Sequence, residues 1–397
     1  FTFPTKLQSG ASYAVTVATQ PTGETCTVGS GTGTATANVT SVAVSCTGET
    51  FSISGTISGL SNSGLKLQDY TGGESLSVAA NATKFQFANP VPYDTDVDVT
   101  VATQPFWETC TAGASNFSGP ISSDVTTDSF GCTAAVASGA AATTGTTFKN
   151  PAGVAVDASG NVYVADSGNS RIVEIASTGA VTTLLNSGQV SGPEGVAVDS
   201  SGNHVYVADT NQDEILEYSG GTVTTLAPAW TFSAPAGVAV DSSGDVYVAD
   251  TGNGWVEEIS TSGTATRLAK SFTFAAPTGI AVDSVGNVYV ADAGTTKIVE
   301  ISGSTVTTLP EVFAYPSGIA VDSAGDIYVA DTNDFEVRMI TAQGNVATLA
   351  GSTSKQGSCT ASPPLFSNPF GIAVAASGDL YVSDYVTSQV CKLTPGT

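Results

Sequence analysis

The sequence predicts an all-β fold on three observations: a composition suited to short strands and tight turns, a strand-rich unit repeated six times, and a second repeat in the N-terminal third. The chain has 397 residues, among them 43 glycines and a single methionine, and only 12% are charged. Val, Thr and Ser are abundant, a mixture that favours pleated strands over helices. With 41% hydrophobic residues the chain can fill two or three cores. Almost no helix is expected.

The formal charge is −24, from 35 acidic against 11 basic residues. Such a surface repels nucleic-acid phosphates and anionic membranes, so neither is expected as a partner, and Ca²⁺ is the favoured ion. An acidic surface that only keeps the protein soluble is the simpler reading. No apolar run is long enough to span a bilayer and no signal peptide is recognisable, so Phe1 is expected to be a processed or truncated end. Six cysteines fall into three local pairs, Cys26 with Cys46, Cys110 with Cys132, and Cys359 with Cys391. None shows the C-x-x-C spacing of zinc or redox sites, so three disulfides are expected, in a protein that is secreted or at the cell surface.

The phrase P-x-G-[VI]-A-V begins at Pro151, Pro193, Pro235, Pro277, Pro316 and Pro369, in steps of 42, 42, 42, 39 and 53 residues. Each copy runs through a turn such as ASGN into VYVAD, then into a third strand such as RIVEI and a fourth such as AVTTL. Four strands in about 40 residues make one blade, and six copies make a six-bladed β-propeller. In the first turn, Asp157 can accept backbone N–H groups two residues on and Gly160 can take the positive φ that closes it. Strands such as VAV and VYVA are apolar on both faces because neighbouring blades sandwich each sheet, and Ala155 or Ala165 allows close packing.

The fuller pattern P-x-G-[VI]-A-V-D-x-x-G-[ND]-[VI]-Y-V-A-D-[ST] resembles the NHL repeat over residues 148–397. That resemblance implies a propeller, and a function among adhesion or sensing, protein or RNA binding, and lyase or lactonase-like catalysis. Two departures stand out. The basic residue usual at the start of the third strand remains as Arg171 and Lys297 but is Glu214, Trp255, Glu336 and Gln389 elsewhere, so a basic binding ring is not expected. The last blade carries Ala375 for the turn Asp and Ser383 for Ala, and its third strand VCKL is followed only by TPGT. Its fourth strand must come from elsewhere, most simply residues 134–147, with a Cys359–Cys391 bridge stapling the seam.

In the N-terminal third, VTVATQPTGETCT at Val15 returns as VTVATQPFWETCT at Val99, and Cys26 and Cys46 map onto Cys110 and Cys132. Strand candidates FSISGTI, GLKLQDY, SLSVAA, KFQFA and DVDVTVA with a cysteine-tied hairpin suggest a small sandwich that resembles the tandem Ig-like repeats of bacterial surface proteins. The expected domains are a partial Ig-like module (1–48), an Ig-like β-sandwich module (49–133), a linker or closing strand (134–147) and the propeller (148–397). Phe1 and Phe3 match Phe85 and Phe87, so the first copy lacks the counterpart of residues 51–83. Trimming explains that, or strands from a neighbouring copy complete the module and give a head-to-tail fibre.

Chemistry-bearing candidates are few. His204 is the single histidine, in the turn SGNHVYV, where a solvated turn residue is expected rather than a general base; a three-histidine zinc site is impossible, which sets aside an amidating-lyase activity. The lactonase-like resemblance implies a divalent metal held by Glu, Asn and Asp in the axial channel. Yet Asp157, Asp199, Asp241, Asp283 and Asp322, and Asp166, Asp209, Asp250, Asp292, Asp331 and Asp384, recur blade by blade, which points to a fold role, and no single Glu stands out. Asp94, Asp96 and Asp98 are expected on one face of a strand, where they could share Ca²⁺ or form a solvated polar face. Trp107, Trp230 and Trp255 are read as packing or as sugar platforms. Asn38, Asn81 and Asn116 lie in N-x-[ST] sequons, which mean little if the source is bacterial.

The expected function is a non-enzymatic secreted or cell-surface structural or binding protein. It self-assembles with copies of itself or adheres to an extracellular protein or glycan, with the propeller as interaction platform. The alternative is a Ca²⁺-dependent lactonase-like hydrolase or lyase.

Overall fold

The structure, a computed structural model, describes residues 1–60, 62, 64–69, 73–105, 107–134, 137–142, 146–342 and 344–395, with only the backbone of Ala134. Among these, the helical elements are two 3₁₀ turns, Ser167–Asn169 and Thr210–Gln212. The chain divides into two compact units, Phe1–Thr133 and Ala134–Thr397.

In the first unit the longest strand, Val125–Ala134, runs parallel to Ile53–Ser58, which pairs antiparallel with Lys84–Gln86 on its other side. Glu108–Ala112 completes that sheet. A second sheet places Lys66–Gln68 between Thr100–Thr103 and Ser75–Ser77. Between them lies a core of Ile53, Leu65, Leu67, Val97, Ile121 and Phe130, each under 2% exposed. Tyr70, the last residue of the strand candidate GLKLQDY, lies outside the described residues. The run DVDVTVA forms two strands, Asp96–Asp98 and Thr100–Thr103.

The placement of Asp94 is a correction. It lies outside the strand, in a turn at φ +64°, with its backbone N–H bonded to the Ile121 carbonyl. The strand begins only at Asp96, because a residue in left-handed conformation breaks the alternation that would have kept Asp94 on the same face.

In residues 1–48, Glu24–Gly29 pairs with Ala43–Gly48, Cys26 opposite Cys46, and Ser12–Ala14 pairs with Thr32–Thr34. Gln20 explains the repeated phrase ATQP-x-x-ETC. Its amide oxygen accepts from the Cys26 backbone N–H (2.7 Å) and its Nε2 donates to the Cys26 carbonyl (3.0 Å). Gln104 does the same for Cys110, at the same two distances.

The second unit contains six four-stranded antiparallel sheets among the described residues. Five are sequential meanders, such as Pro151–Val156, Val162–Asp166, Arg171–Ile175 and Val181–Leu185. The sixth is built from Pro369–Val374, Leu380–Asp384 and Gln389–Thr394, with Ser138–Ala141 as its outer strand, Ala141 opposite Cys391. Residues 135, 136 and 143–145 of the expected closing segment lie outside the described residues. Cys359 and Cys391 are bonded.

The first strands of the sheets pack side by side in chain order, and the last, Pro369–Val374, packs on the first, Pro151–Val156. The glycine of P-x-G makes this approach possible. A Cβ on Gly237 would meet the Thr278 carbonyl, one on Gly279 the Ser317 carbonyl, one on Gly318 the Phe370 carbonyl, and one on Gly371 the Ala152 carbonyl of the first sheet. Each first strand thus rests its glycine on the backbone of the next, which no side chain would permit. Apolar clusters span consecutive sheets, as where Tyr206, Ala208 and Ile215 pack with Val238, Val248 and Ile259. At the seam, Ser383 donates to the Ala152 carbonyl and accepts from Gly371 N–H (2.8 Å), which gives the departure from Ala a role.

Candidate functional site

Two ends of the ring carry polar groups. At one end lie the D-x-x-G turns. Asp157 Oδ1 accepts from the backbone N–H groups of Ser159 and Asn161 (both 2.9 Å), and Oδ2 accepts from Asn161 Nδ2 (2.8 Å) and the Tyr163 hydroxyl (3.2 Å). The arrangement recurs at Asp241 with Ser243, Asp245 and Tyr247, and at Asp322 with Ala324, Asp326 and Tyr328. The tyrosine of VYVAD therefore ties the second strand to the turn before it. Burial, then the Asp283 and Glu300 charges among its neighbours, pushes the Tyr289 hydroxyl up to about 12, so it stays a donor.

The aspartates that end the second strands are buried and hold the loop entering their own sheet. Asp166 accepts from Lys149 N–H (2.8 Å), Asp250 from Ser233 N–H (2.8 Å), and Asp384 from the N–H groups of Ser367 and Asn368. Burial raises the Asp209 carboxyl to about 6 against the hydrogen bonds from Ser191. Arg171 spends its charge on Asp166 (2.6 Å), and Lys297 Nζ on the carbonyls of Pro310 and Glu311. The repeated acids and surviving basic residues are thus engaged by the fold.

A cleft of about 750 Å³ opens at the turn end, floored by Val156, Val198, Val240 and Val374. His204 and Glu217 stand in its wall, with Nδ1 2.6 Å from Oε1. His204 opens the strand His204–Asp209, and the sequence expectation of a turn residue falls one position short. A second, smaller cavity of about 60 Å³ lies on the axis between Val154, Val196, Val238, Ile280, Ile319 and Ile372. Its acidic wall residue is Glu194, half-buried, whose carboxyl is raised by that burial. The corresponding positions are Ala152, Ala236, Thr278, Ser317 and Phe370. Ca²⁺ takes about six to eight oxygen ligands. Here the Ser317 hydroxyl is bound to Thr332, and Thr278 to the carbonyls of Ala291 and Pro316.

Sequence reasoning missed Glu257. It is fully buried, and burial, then Asp250, lifts its pKa to about 8 against the pull of Arg267 and of the Trp230 indole N–H. It lies opposite Val248, where the other sheets carry Val173, Leu216, Val299, Arg338 and Cys391. Around it are Arg267, its cross-strand partner, and Trp255, on whose ring Arg267 stacks at 4.6 Å. Trp255 and Trp230 are half-buried and Trp107 is buried, so all three tryptophans are engaged in packing.

The structure does not bring Asp94, Asp96 and Asp98 together: all three are exposed, and they do not form a cluster with metal-ligand spacing among the described residues. The cluster that does have such spacing, Glu24 with Cys26 and Cys46, has its two sulfurs joined in a disulfide and offers no thiolate. Cys110 and Cys132 are likewise bonded.

The NHL repeat matches residues 148–175, 191–212, 232–257 and 313–338, and the second unit therefore carries NHL repeats in propeller-like four-stranded blades. No curated protein matches the chain. Among solved structures, a protein of unknown function from Bacteroides thetaiotaomicron is similar at TM-score 0.57 and 15% identity, over 83% of this chain and 90% of that one. A gluconolactonase of Xanthomonas campestris is similar at TM-score 0.52 and 14% identity, over 63% and 87%. A streptogramin B lyase is similar at TM-score 0.48 and 15% identity, over 66% and 98%. At these identities the likeness is one of fold.

Proposed function

We propose that this chain is a non-enzymatic extracellular structural or binding protein, in which a six-bladed propeller is the interaction platform and Ig-like modules serve as a stalk or assembly device. The observation that carries the reading is where the repeated polar groups go: the turn and strand-end aspartates are held by backbone N–H groups of their own blades, and the axial cavity is walled mostly by Val, Ile and Gly, with Glu194 as its acidic residue. Chemistry needs groups free to meet a substrate. Three disulfides support an oxidising compartment.

The alternative, a metal-dependent lactonase-like hydrolase or lyase, draws on the likeness of fold to a gluconolactonase and would rest on Glu194. One experiment separates them. The purified chain is assayed on a lactone panel with and without chelator, beside Glu194→Gln, while sedimentation velocity follows association. Concentration-dependent association, with lactone opening no faster than buffer, is expected. Lactone opening abolished by both chelator and Glu194→Gln overturns the reading.

A further inference from the structure

One inserted residue sets the second sheet of the ring apart. In four other sheets the tyrosine of the second strand lies six residues after the turn aspartate and donates to its carboxylate. Tyr163 bonds Asp157 (3.2 Å), Tyr247 bonds Asp241 (3.2 Å), Tyr289 bonds Asp283 (3.4 Å) and Tyr328 bonds Asp322 (3.0 Å), while the sixth sheet has Ala375 in place of the acid. His204 lengthens the second turn, so Tyr206 follows Asp199 by seven residues. Asp199 Oδ2 there accepts from the Ser201 hydroxyl (2.8 Å), and Oδ1 from the N–H groups of Asn203 and His204 (3.0 and 3.2 Å). The Tyr206 hydroxyl is left without a hydrogen-bond partner among the described residues, although Tyr206 is only 7% exposed. A hydroxyl in such a place is costly until something bonds it.

The insertion also puts His204 two residues before Tyr206, on the same face of the strand, and Tyr206 lies directly opposite Glu217. His204 Nδ1 lies 2.6 Å from Glu217 Oε1, and Glu217 Oε2 has no hydrogen-bond partner among the described residues. All three side chains line the cleft of about 750 Å³ at the turn end, a volume that suits a small molecule. Val156, Val198, Val240 and Val374 give it an apolar floor, and Asp157, Asp199 and Asp241 join Glu217 as its carboxylates. Among the described residues no lysine or arginine lines it. A cleft walled by one sign of charge concentrates ions of the other sign and turns anions away. Burial, then the Glu217 and Asp199 charges, pushes the Tyr206 hydroxyl up to about 12, so it meets a ligand in its neutral form. A neutral ligand would leave the carboxylates uncompensated, whereas a cation with an apolar body satisfies both wall and floor.

We propose that this cleft binds a primary alkylammonium ion, whose head group donates to Glu217 Oε2 and to the Tyr206 hydroxyl oxygen while its alkyl chain lies on the valine floor. His204 holds the Glu217 carboxylate in position through Nδ1. Free aliphatic amines and lysine side chains share this chemistry. The site is distinct from Glu194, which precedes the strand Gly195–Val198, at whose other end the cleft opens. It gives the platform reading above a ligand and rests on that reading.

Isothermal titration calorimetry of the full chain with n-hexylamine at neutral pH tests the site. Saturable binding is expected, weakened about tenfold or more by Glu217→Gln and about threefold or more by Tyr206→Phe. Glu300→Gln, which removes a carboxylate opposite Tyr289 in the fourth sheet, is expected to leave it unchanged. n-Hexanol, with the same chain and no charge, should bind about tenfold more weakly or worse. Nα-acetyl-lysine amide, titrated in parallel, separates the sources: weaker binding than hexylamine assigns the site to free amines, and equal or tighter binding assigns it to lysine side chains. Absence of saturable heat, hexanol or methyl α-glucoside binding as tightly as hexylamine, or indifference to either Glu217→Gln or Tyr206→Phe overturns the site. Such a failure leaves the platform reading standing, since that reading falls instead on lactone opening lost to both chelator and Glu194→Gln.

Discussion

Glu257→Gln keeps the shape of a buried side chain and removes its charge. The Glu257 pKa rises from 4.5 to about 8 on folding because burial, and then Asp250, disfavours the carboxylate. The unfolded chain therefore loses this proton first as pH climbs above 4.5, and stability falls until about pH 8, beyond which the penalty is constant. At about 1.4 kcal/mol per unit, the penalty is about 2 kcal/mol at pH 6 and about 5 kcal/mol at pH 9. The variant is expected to be more stable than the parent at both, with its advantage larger by about 3 kcal/mol at pH 9. Urea unfolding followed by circular dichroism at the two pH values measures it. Titrating groups that do not interact with Glu257 affect both proteins alike and cancel in the difference, whereas Asp250 and Arg267 are coupled to it. An advantage of the same size at pH 6 and pH 9 would show that Glu257 is not held protonated by its surroundings.

Gly279→Ala forces a methyl group against the Ser317 carbonyl of the next blade and should lower stability by about 1–3 kcal/mol; a thermal melt equal to the parent's would refute the close approach. Replacing both Cys359 and Cys391 by Ala opens a link of sequence separation 32 and is expected to remove about 2–4 kcal/mol. The same melts, run on oxidised protein, decide it. Gln104→Ala leaves two backbone groups of buried Cys110 without their side-chain partner, for an expected loss of about 1–2 kcal/mol. An unchanged urea midpoint would argue that water replaces the amide.

The blades were legible because their turns are local. Asp157 and Gly160 lie three residues apart, and repetition made their partnership visible before any coordinates. The glycine of P-x-G was not, since its constraint is a carbonyl of the neighbouring blade about 40 residues away. Asp94 was misplaced because alternation was extended through a residue whose φ is positive, although Gly10 at the same place in the other copy was the available signal. Glu257 escaped notice within the strand WVEEI, which looks like RIVEI until the two are paired with their neighbours. Aligning the six third strands by their partner valine would have exposed it, because Val173, Leu216 and Val299 occupy that site elsewhere.

The strand Ser138–Ala141 leaves the ribosome before the other strands of the ring, yet its partner Gln389–Thr394 follows all of them. Until Gln389–Thr394 has been made it has no mate, so ring closure waits for that strand. Cys391 lies on that late strand and Cys359 ahead of it, whereas the other two disulfides belong wholly to residues 1–133. A chain halted before Gln389 would thus hold Cys359 without its partner, while both partners of the other two disulfides are already made. Counting free thiols on chains arrested at successive lengths would date the moment at which the circle is completed.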